Sequence, residues 1–554
     1  MTASLQRSLR RLLATVWLTS FVVSGHAQPA SPPAEPTVEV RVGARDTLIG
    51  LSERVFNGPA AWQEIARLNR VRDPNRIVPG QVLRVPTRLM RSTPLPATLV
   101  SAVGDVQVNN QPAAAGAAIA EGQSVQTGAN GSAVIGLADG SRVRLPPSSL
   151  AEVMASRAYG TSAEAATAAN TGAFSGALRL VRGSVDVLAS KLRRATPLEV
   201  TTPTAVIGVR GTQYRVSLDA ESTTRSEVLD GQVRFDAASR SVGSDLPAGF
   251  GAAIDSRALK PMPTALLPAP DLAAVPTRFD RPLVRFAVPG ETRPLRVQVA
   301  ADPAFEQVVS DLRVAPGSEV RIAGLADGSW HLRARRVDGQ GLEGFDKALA
   351  FALKARPEPP ASNTPRPGSK ATVGAVEFAW SPNLEARSAR LQVARDAAFA
   401  QVVIERDGLT VNREQLTLSE PGTYFWRLGS VRPDGDRGPF GDPQRFELRA
   451  LPEPPQGGVA DDGKSLRLAW SGRAEDRQEV ELARDPQFNE IVARAKLEKP
   501  QWDLPTPSAG GTYYFRYRSI EPDGFVTPYS ATLTIDVPRD WRWLWLLAPL
   551  LLGL

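Results

Sequence analysis

Three stretches in the second half of this chain are versions of one another, and that repetition constrains the fold more than any other feature. VRFAVPG (284–290), VEFAWSP (376–382) and LRLAWSG (466–472) come first in each unit. VQVAADPAFEQVV (297–309), LQVARDAAFAQVV (391–403) and VELARDPQFNEIV (480–492) follow. SWHLRARRVDG (329–339), YFWRLGSVRPDG (424–435) and YYFRYRSIEPDG (513–524) come late. Asp338, Asp434 and Asp523 mark the period, at spacings of 96 and 89 residues. Apolar residues alternate with polar ones inside each stretch, which predicts strands with one buried face. The Asp of Asp-Pro-x-Phe is expected to start a turn and its Phe to plug the core. His331 is expected to share the strand position of Arg427 and Arg516. Pro-rich stretches at 356–369 and 451–463 read as linkers.

Each unit has a late aromatic strand, and Trp380 and Trp470 occupy equivalent early positions where the first unit has Val288. In this the units resemble the fibronectin type III sandwich, where an early Trp packs beside a later Tyr-rich strand. The resemblance implies three β-sandwich repeats, at 281–355, 370–450 and 463–538, acting as spacers or adhesion modules.

The middle of the chain, 98–255, reads as one β-rich domain of short strands. Gly pairs punctuate it: Asn130-Gly131, Asp139-Gly140, Arg182-Gly183 and Asp230-Gly231. Such pairs permit the positive φ of tight hairpins. Arg182-Gly183 is expected to separate a strand at 178–181 from one at 185–188. The most specific stretch is 196–216, TPLEVTTPTAVIGVRGTQYRV. Together with the Arg-Gly-Ser-Val-Asp-Val strand and the Leu229–Phe235 run, it resembles the FecR domain family. The FecR motif here is Arg210, Gly211 and Thr212. Gly suits a bend, and a guanidinium can tie carbonyls across a turn. The alternative is that Arg210 contacts a partner or ligand. An Ala/Ser/Thr/Gly-rich stretch at 156–176 reads as an insertion, and 256–280 as a Pro/Ala-rich linker.

Residues 37–87 predict strand, helix, helix, strand. Val38, Val40 and Val42 alternate. Asp46 is the expected N-cap of a helix carrying Leu48, Leu51 and Val55. Trp62, Ile65 and Leu68 follow at helical spacing, and Val82–Val85 closes the unit. The Arg45-Asp46-Thr47-Leu48 start, Asn69, and the Ile77-Val78-Pro79-Gly80-Gln81 turn resemble a LysM domain, with Arg45 in place of the usual Gly. The resemblance implies binding of N-acetylglucosamine-containing glycan such as peptidoglycan, in a groove between two loops. Asp46, Thr47 and Leu48 would line one side, and Arg76, Ile77, Val78 and Pro79 the other. For Leu48 and Ile77 the competing role is core packing.

The ends carry different signals. Arg7, Arg10 and Arg11 precede a 12-residue apolar run (12–23) and the small residues before Ala27, which predicts a secretory signal over 1–27. Residues 541–554, WRWLWLLAPLLLGL, read as a hydrophobic C-terminal tail that inserts in a membrane or packs on a partner. Net charge is +7, three of it from that first segment, and no basic stripe occurs, so nucleic acid is not an expected partner. With no cysteine, disulfides and thiolate chemistry are ruled out.

No catalytic centre, metal site or cofactor is expected. Beyond the signal the chain has one histidine, His331, too few for a multi-His metal site. The resulting expectation is a mainly β, multidomain, non-enzymatic protein of the periplasm or cell envelope. It would bind peptidoglycan, an envelope protein partner through the FecR-like domain, and a membrane through its tail. The alternatives are a FecR-type regulator of envelope signalling and a peptidoglycan hydrolase or its accessory. Only 11 residues precede the apolar run, which argues against direct sigma-factor control.

Overall fold

The computed structural model describes residues 35–160, 173–191, 196–209, 211–239, 242–255, 257, 260–460 and 464–538. The expected signal segment, the hydrophobic tail and Arg210 lie outside the described residues, as does part of the 156–176 stretch. Two compact units emerge: residues 1–267 with 306–309 and 338–345, and residues 268–305, 310–337 and 346–554. The architecture is mainly β and multidomain. No helix among the described residues is long and apolar enough to cross a membrane.

The first unit opens with β1 (Thr37–Arg41), α1 (Leu48–Arg54), α2 (Ala61–Leu68) and β2 (Val82–Pro86). The two strands pair antiparallel, Val38 opposite Val85 and Val40 opposite Leu83. Leu48, Leu51, Phe56, Ile65, Ile77 and Leu83 fill the space between strands and helices. Asp46 is not the N-cap of α1. The helix starts at Leu48, so Thr47 takes that role and its Oγ1 accepts the Gly50 N–H at 3.0 Å. Asn69 fastens the end of α2 to β2: its amide donates to the Ile65 and Arg84 carbonyls and its oxygen accepts the Arg84 N–H.

Eighteen strands, from Ser92–Pro94 to Thr264–Ala265, pair into a closed array around an aliphatic core. Its organiser is the long strand Phe174–Leu188. The first half pairs with Leu150–Tyr159 and, in parallel, with Leu198–Thr201. The second half pairs with Arg142–Leu145 and Gln213–Leu218. Arg182-Gly183 is therefore no hairpin; it is the kink at which one strand passes between two sets of partners. Gly183 has φ +83°, and a Cβ there would lie 2.6 Å from Ser149 Oγ. Asn130-Gly131 and Asp230-Gly231 likewise join strands that belong to different sets. Of the four pairs only Asp139-Gly140 closes a hairpin, between Ser132–Gly136 and Arg142–Leu145.

Across this array the register sets Arg144, Asp186, Arg215 and Glu227 side by side on four strands. The charges alternate. Arg215 and Glu227 are buried, and Arg215 also donates to the Glu343 and Gly344 carbonyls at 2.7 and 2.6 Å.

The second unit holds the repeats as packed sheets. In the second repeat Ser362–Thr364, Gly374–Trp380 and Arg413–Leu418 form one sheet; Lys370–Thr372, Gln444–Arg449, Gly422–Val431, Ser388–Ala394 and Val402–Leu409 form the other, with Arg437–Phe440 paired to Gly422–Val431. The core between them sets five aromatic rings among aliphatic side chains: Phe378, Trp380, Tyr424, Trp426 and Phe446. In the third repeat Trp470 stacks on Tyr517 at 5.0 Å, as the early-Trp pattern predicts. The expected linkers are not free chain. Ser362–Thr364 pairs with Gly374–Trp380, and Gln456–Val459 pairs with Ser465–Ala469. Proline there excludes a central strand but suits an edge.

Candidate functional site

The two loops named as the groove of the front module do meet. The Leu48 N–H bonds the Pro74 carbonyl at 3.1 Å, which ties the start of α1 to the turn before β2. That turn is held by the Gly80 N–H on the Val42 carbonyl and by Gln81 Oε1 accepting the Val78 N–H.

The named residues then divide into two groups. Leu48 and Ile77 bury their side chains in the core. Asp46 is committed inside its own loop: it accepts the Gly43 N–H at 2.7 Å and pairs with Arg54 at 2.8 Å. Burial works to raise its pKa, but the Gly43 amide and Arg54 outweigh it and hold the carboxyl below its ordinary value. Thr47 caps α1. Arg76, Val78 and Pro79 stay outward, with Val78 65% exposed and the Arg76 side chain 88% exposed. Ile49, 40% exposed at the start of α1, is the apolar side chain that the named set omits. Its signal lay in the helical period, since Leu48, Leu51 and Val55 define the inward face and Ile49 falls off it. The surface is thus built from main chain, one cation and three apolar side chains. Such a surface can hold sugar rings and acetyl groups.

The second named set lies at a corner. Gly211 has φ +66°, and the Ala189 N–H bonds the Thr212 carbonyl at 2.9 Å. Thr212 is buried beneath the Gly231 corner, where an added Cβ would come within 2.5 Å of its methyl group. Both residues serve the packing of two crossings.

In the repeats, Asp-Pro-x-Phe, which reads Asp-Ala-Ala-Phe at 396–399, is a turn capped by its Asp. Asp396 accepts the Ala400 and Gln401 N–H groups, and those amides hold its carboxyl below the ordinary value. The Phe does not enter the sandwich core. Phe305, Phe399 and Phe488 take positive φ and lie on the opposite face of the sheet, under Arg333, Arg427 and Arg516 at 4.6, 3.9 and 3.9 Å. The register makes Arg333 the counterpart of Arg427 and Arg516: they pair with Gln298, Gln392 and Glu481. His331 lies two residues away, opposite Ala300. Counting back from the Asp-Gly pair misplaced it because the second and third repeats insert Arg432-Pro433 and Glu521-Pro522. Among the described residues no group of three His, Asp or Glu side chains is arranged to hold a metal ion.

Residues 40–86 match the LysM domain family, and residues 123–234 match the family described as FecR protein. No curated protein matches the chain. Among solved structures it is similar to fibronectin(III)-like modules of Clostridium thermocellum CbhA, at 10% identity over 32% of this chain and 94% of that one, with a TM-score of 0.21. It is also similar to the FN1–FN3 domains of chicken CNTN1, at 13% identity over 47% and 96% of the two chains, with a TM-score of 0.20. A two-domain fibronectin type III segment of chicken tenascin aligns at 12% identity over 32% and 99%, with a TM-score of 0.18. LysM and FecR domains are binding or sensing modules typical of envelope proteins.

Proposed function

We propose that this is a non-enzymatic protein of the cell envelope that holds peptidoglycan through residues 37–87. The LysM match over 40–86 carries the reading. The junction of the two loops at Leu48 and Pro74, with Ile49, Arg76, Val78 and Pro79 outward, supports it. Sugar would be held by main-chain groups and apolar contact, with Arg76 reaching a carboxylate or hydroxyl. Thr47, Leu48 and Ile77 would take part through main chain, and Asp46 by shaping the loop. The FecR-like domain would bind an envelope partner or sense a signal, and the repeats would set its distance. Linking such sites raises effective concentration, so a weak glycan site is enough.

Sedimentation with insoluble peptidoglycan tests the reading. The full chain should pellet with sacculi, and a chain lacking 37–87 should stay in the supernatant. Equal pelleting of the two would end it. The FecR match over 123–234 favours a second reading, a regulator that senses envelope signals. That reading predicts a transcriptional response to deletion even in cells where glycan binding is abolished. Clearing of peptidoglycan in a zymogram would overturn the non-enzymatic assignment.

A further inference from the structure

The second unit repeats a join as well as a fold. FALKARPEPP (351–360) and FELRALPEPP (446–455) align residue for residue at the ends of the first and second repeats. The register confirms the alignment, with Phe351 opposite Trp330 and Phe446 opposite Tyr424. Lys354 and Arg449 therefore hold one position, where the last strand ends. Each reaches an acid in the loop beyond the aromatic strand of the next repeat. Lys354 Nζ bonds both carboxylate oxygens of Asp436, at 2.8 and 2.7 Å, and lies 3.2 Å from Asp327. Arg449 donates to Glu521 at 2.8 Å, and Lys370 adds bonds to Glu521 and Asp523.

Main chain reinforces both joins at matched positions. The Glu358 carbonyl accepts Ser430 Oγ at 2.6 Å, and the Glu453 carbonyl accepts the Tyr517 hydroxyl at 2.8 Å. Both donors lie on the aromatic strand of the following repeat. At the first join Gly438 backs onto Pro357 so closely that a Cβ would lie 1.9 Å from its carbonyl oxygen. Arg281 adds bonds to the Phe440 carbonyl and to Asp442. In the third repeat Ile535 pairs with Tyr513, so Pro538 takes the place of Arg449. The cation is present at the two ends that meet a further repeat and absent at the one after the third.

We propose that these joins lock the three repeats of the second unit into one stiff body with fixed angles between neighbours. A lone surface ion pair would be too weak to do this. Here each cation is shared between two acids, and the adjoining main chain is pinned as well. Were 356–369 a flexible coil, its ends would wander over roughly 20 Å. The proposal does not rest on glycan binding, and either can fail alone.

The chain has no cysteine, so Ser318→Cys with Lys499→Cys places spin labels on exposed turns of the first and third repeats in the full-length protein. Pulsed electron resonance should give one narrow distance distribution. Combining Lys354→Ala with Arg449→Ala should broaden it at least about twofold, as freed linkers would, while circular dichroism stays unchanged. Asp436→Asn, a milder change, should broaden it less. A broad distribution with native Lys354 and Arg449 overturns the proposal. So does a distribution that stays narrow in both sets of variants.

Discussion

The strand array of the first unit and the second and third repeats of the second set their cross-strand arginines differently. In the array, Arg144, Asp186, Arg215 and Glu227 form a row across four strands, with Arg215 and Glu227 buried, Arg215 donating to the Glu343 and Gly344 carbonyls and Glu227 accepting the Glu343 N–H. In the second and third repeats, Arg427 and Arg516 sit over phenyl rings, 3.9 Å from the ring centres, and remain part-exposed. The cores differ too: almost wholly aliphatic in the first unit's array, richer in aromatic rings in the second and third repeats. An ion buried among aliphatic groups has no water to fall back on, so its partners are obligatory. A guanidinium on a ring keeps part of its hydration, so its partner is worth less.

This contrast can be broken at four places. Arg215→Ala leaves Glu227 buried without its cation and should cost about 3–5 kcal/mol, read as an early unfolding step of the first unit. A loss near zero would mean that water reaches the row. Gly183→Ala puts a side chain at φ +83° against Ser149 and should cost about 2 kcal/mol, visible as a lower denaturant midpoint for the same unit. Arg427→Ala removes the cap from Phe399 and Phe440 and the bonds to the neutral Gln392, and should cost only about 1 kcal/mol in the second unit. If it cost as much as Arg215→Ala, the distinction between the two settings would collapse.

The smallest effect concerns Asp476, 6% exposed, whose Oδ1 has no hydrogen-bond partner. Burial and then the charge of Glu521 push its pKa up; Glu475 adds to this, while Arg473 and Arg449 oppose it. A raised carboxyl pKa means the folded chain holds the proton more tightly. Its contribution is then full below about pH 3.9 and is lost as pH rises through the folded value. Asp476→Asn should therefore melt slightly higher than the native chain at pH 7, with the difference vanishing near pH 3. A difference that grows on acidification would reverse the assignment.

Much of this was legible beforehand because it depends on period and spacing. The front βααβ module, the strand-rich middle, the threefold repeat and the pairing of Trp470 with a Tyr-rich strand all follow from local pattern. The two loops were legible, but the division of labour between their residues was not. Asp46 and Thr47 are neighbours of similar capping chemistry, and one residue of helix phase decides which caps and which braces Arg54. Leu48 and Ile77 read equally as contact or core until their partners are placed.

By itself, then, the sequence determined which residues alternate, where chain reversal was available, and that no cysteine chemistry could contribute. Tertiary structure alone decided that Gly183 kinks one strand instead of ending it, that Phe399 faces Arg427 instead of the core, and that Lys354 meets Asp436. The reason is physical. A glycine permits positive φ wherever it stands, and an alternating strand offers two faces of which either can be buried. What selects among these options is the partner strand, and its register is set by residues far away in the chain.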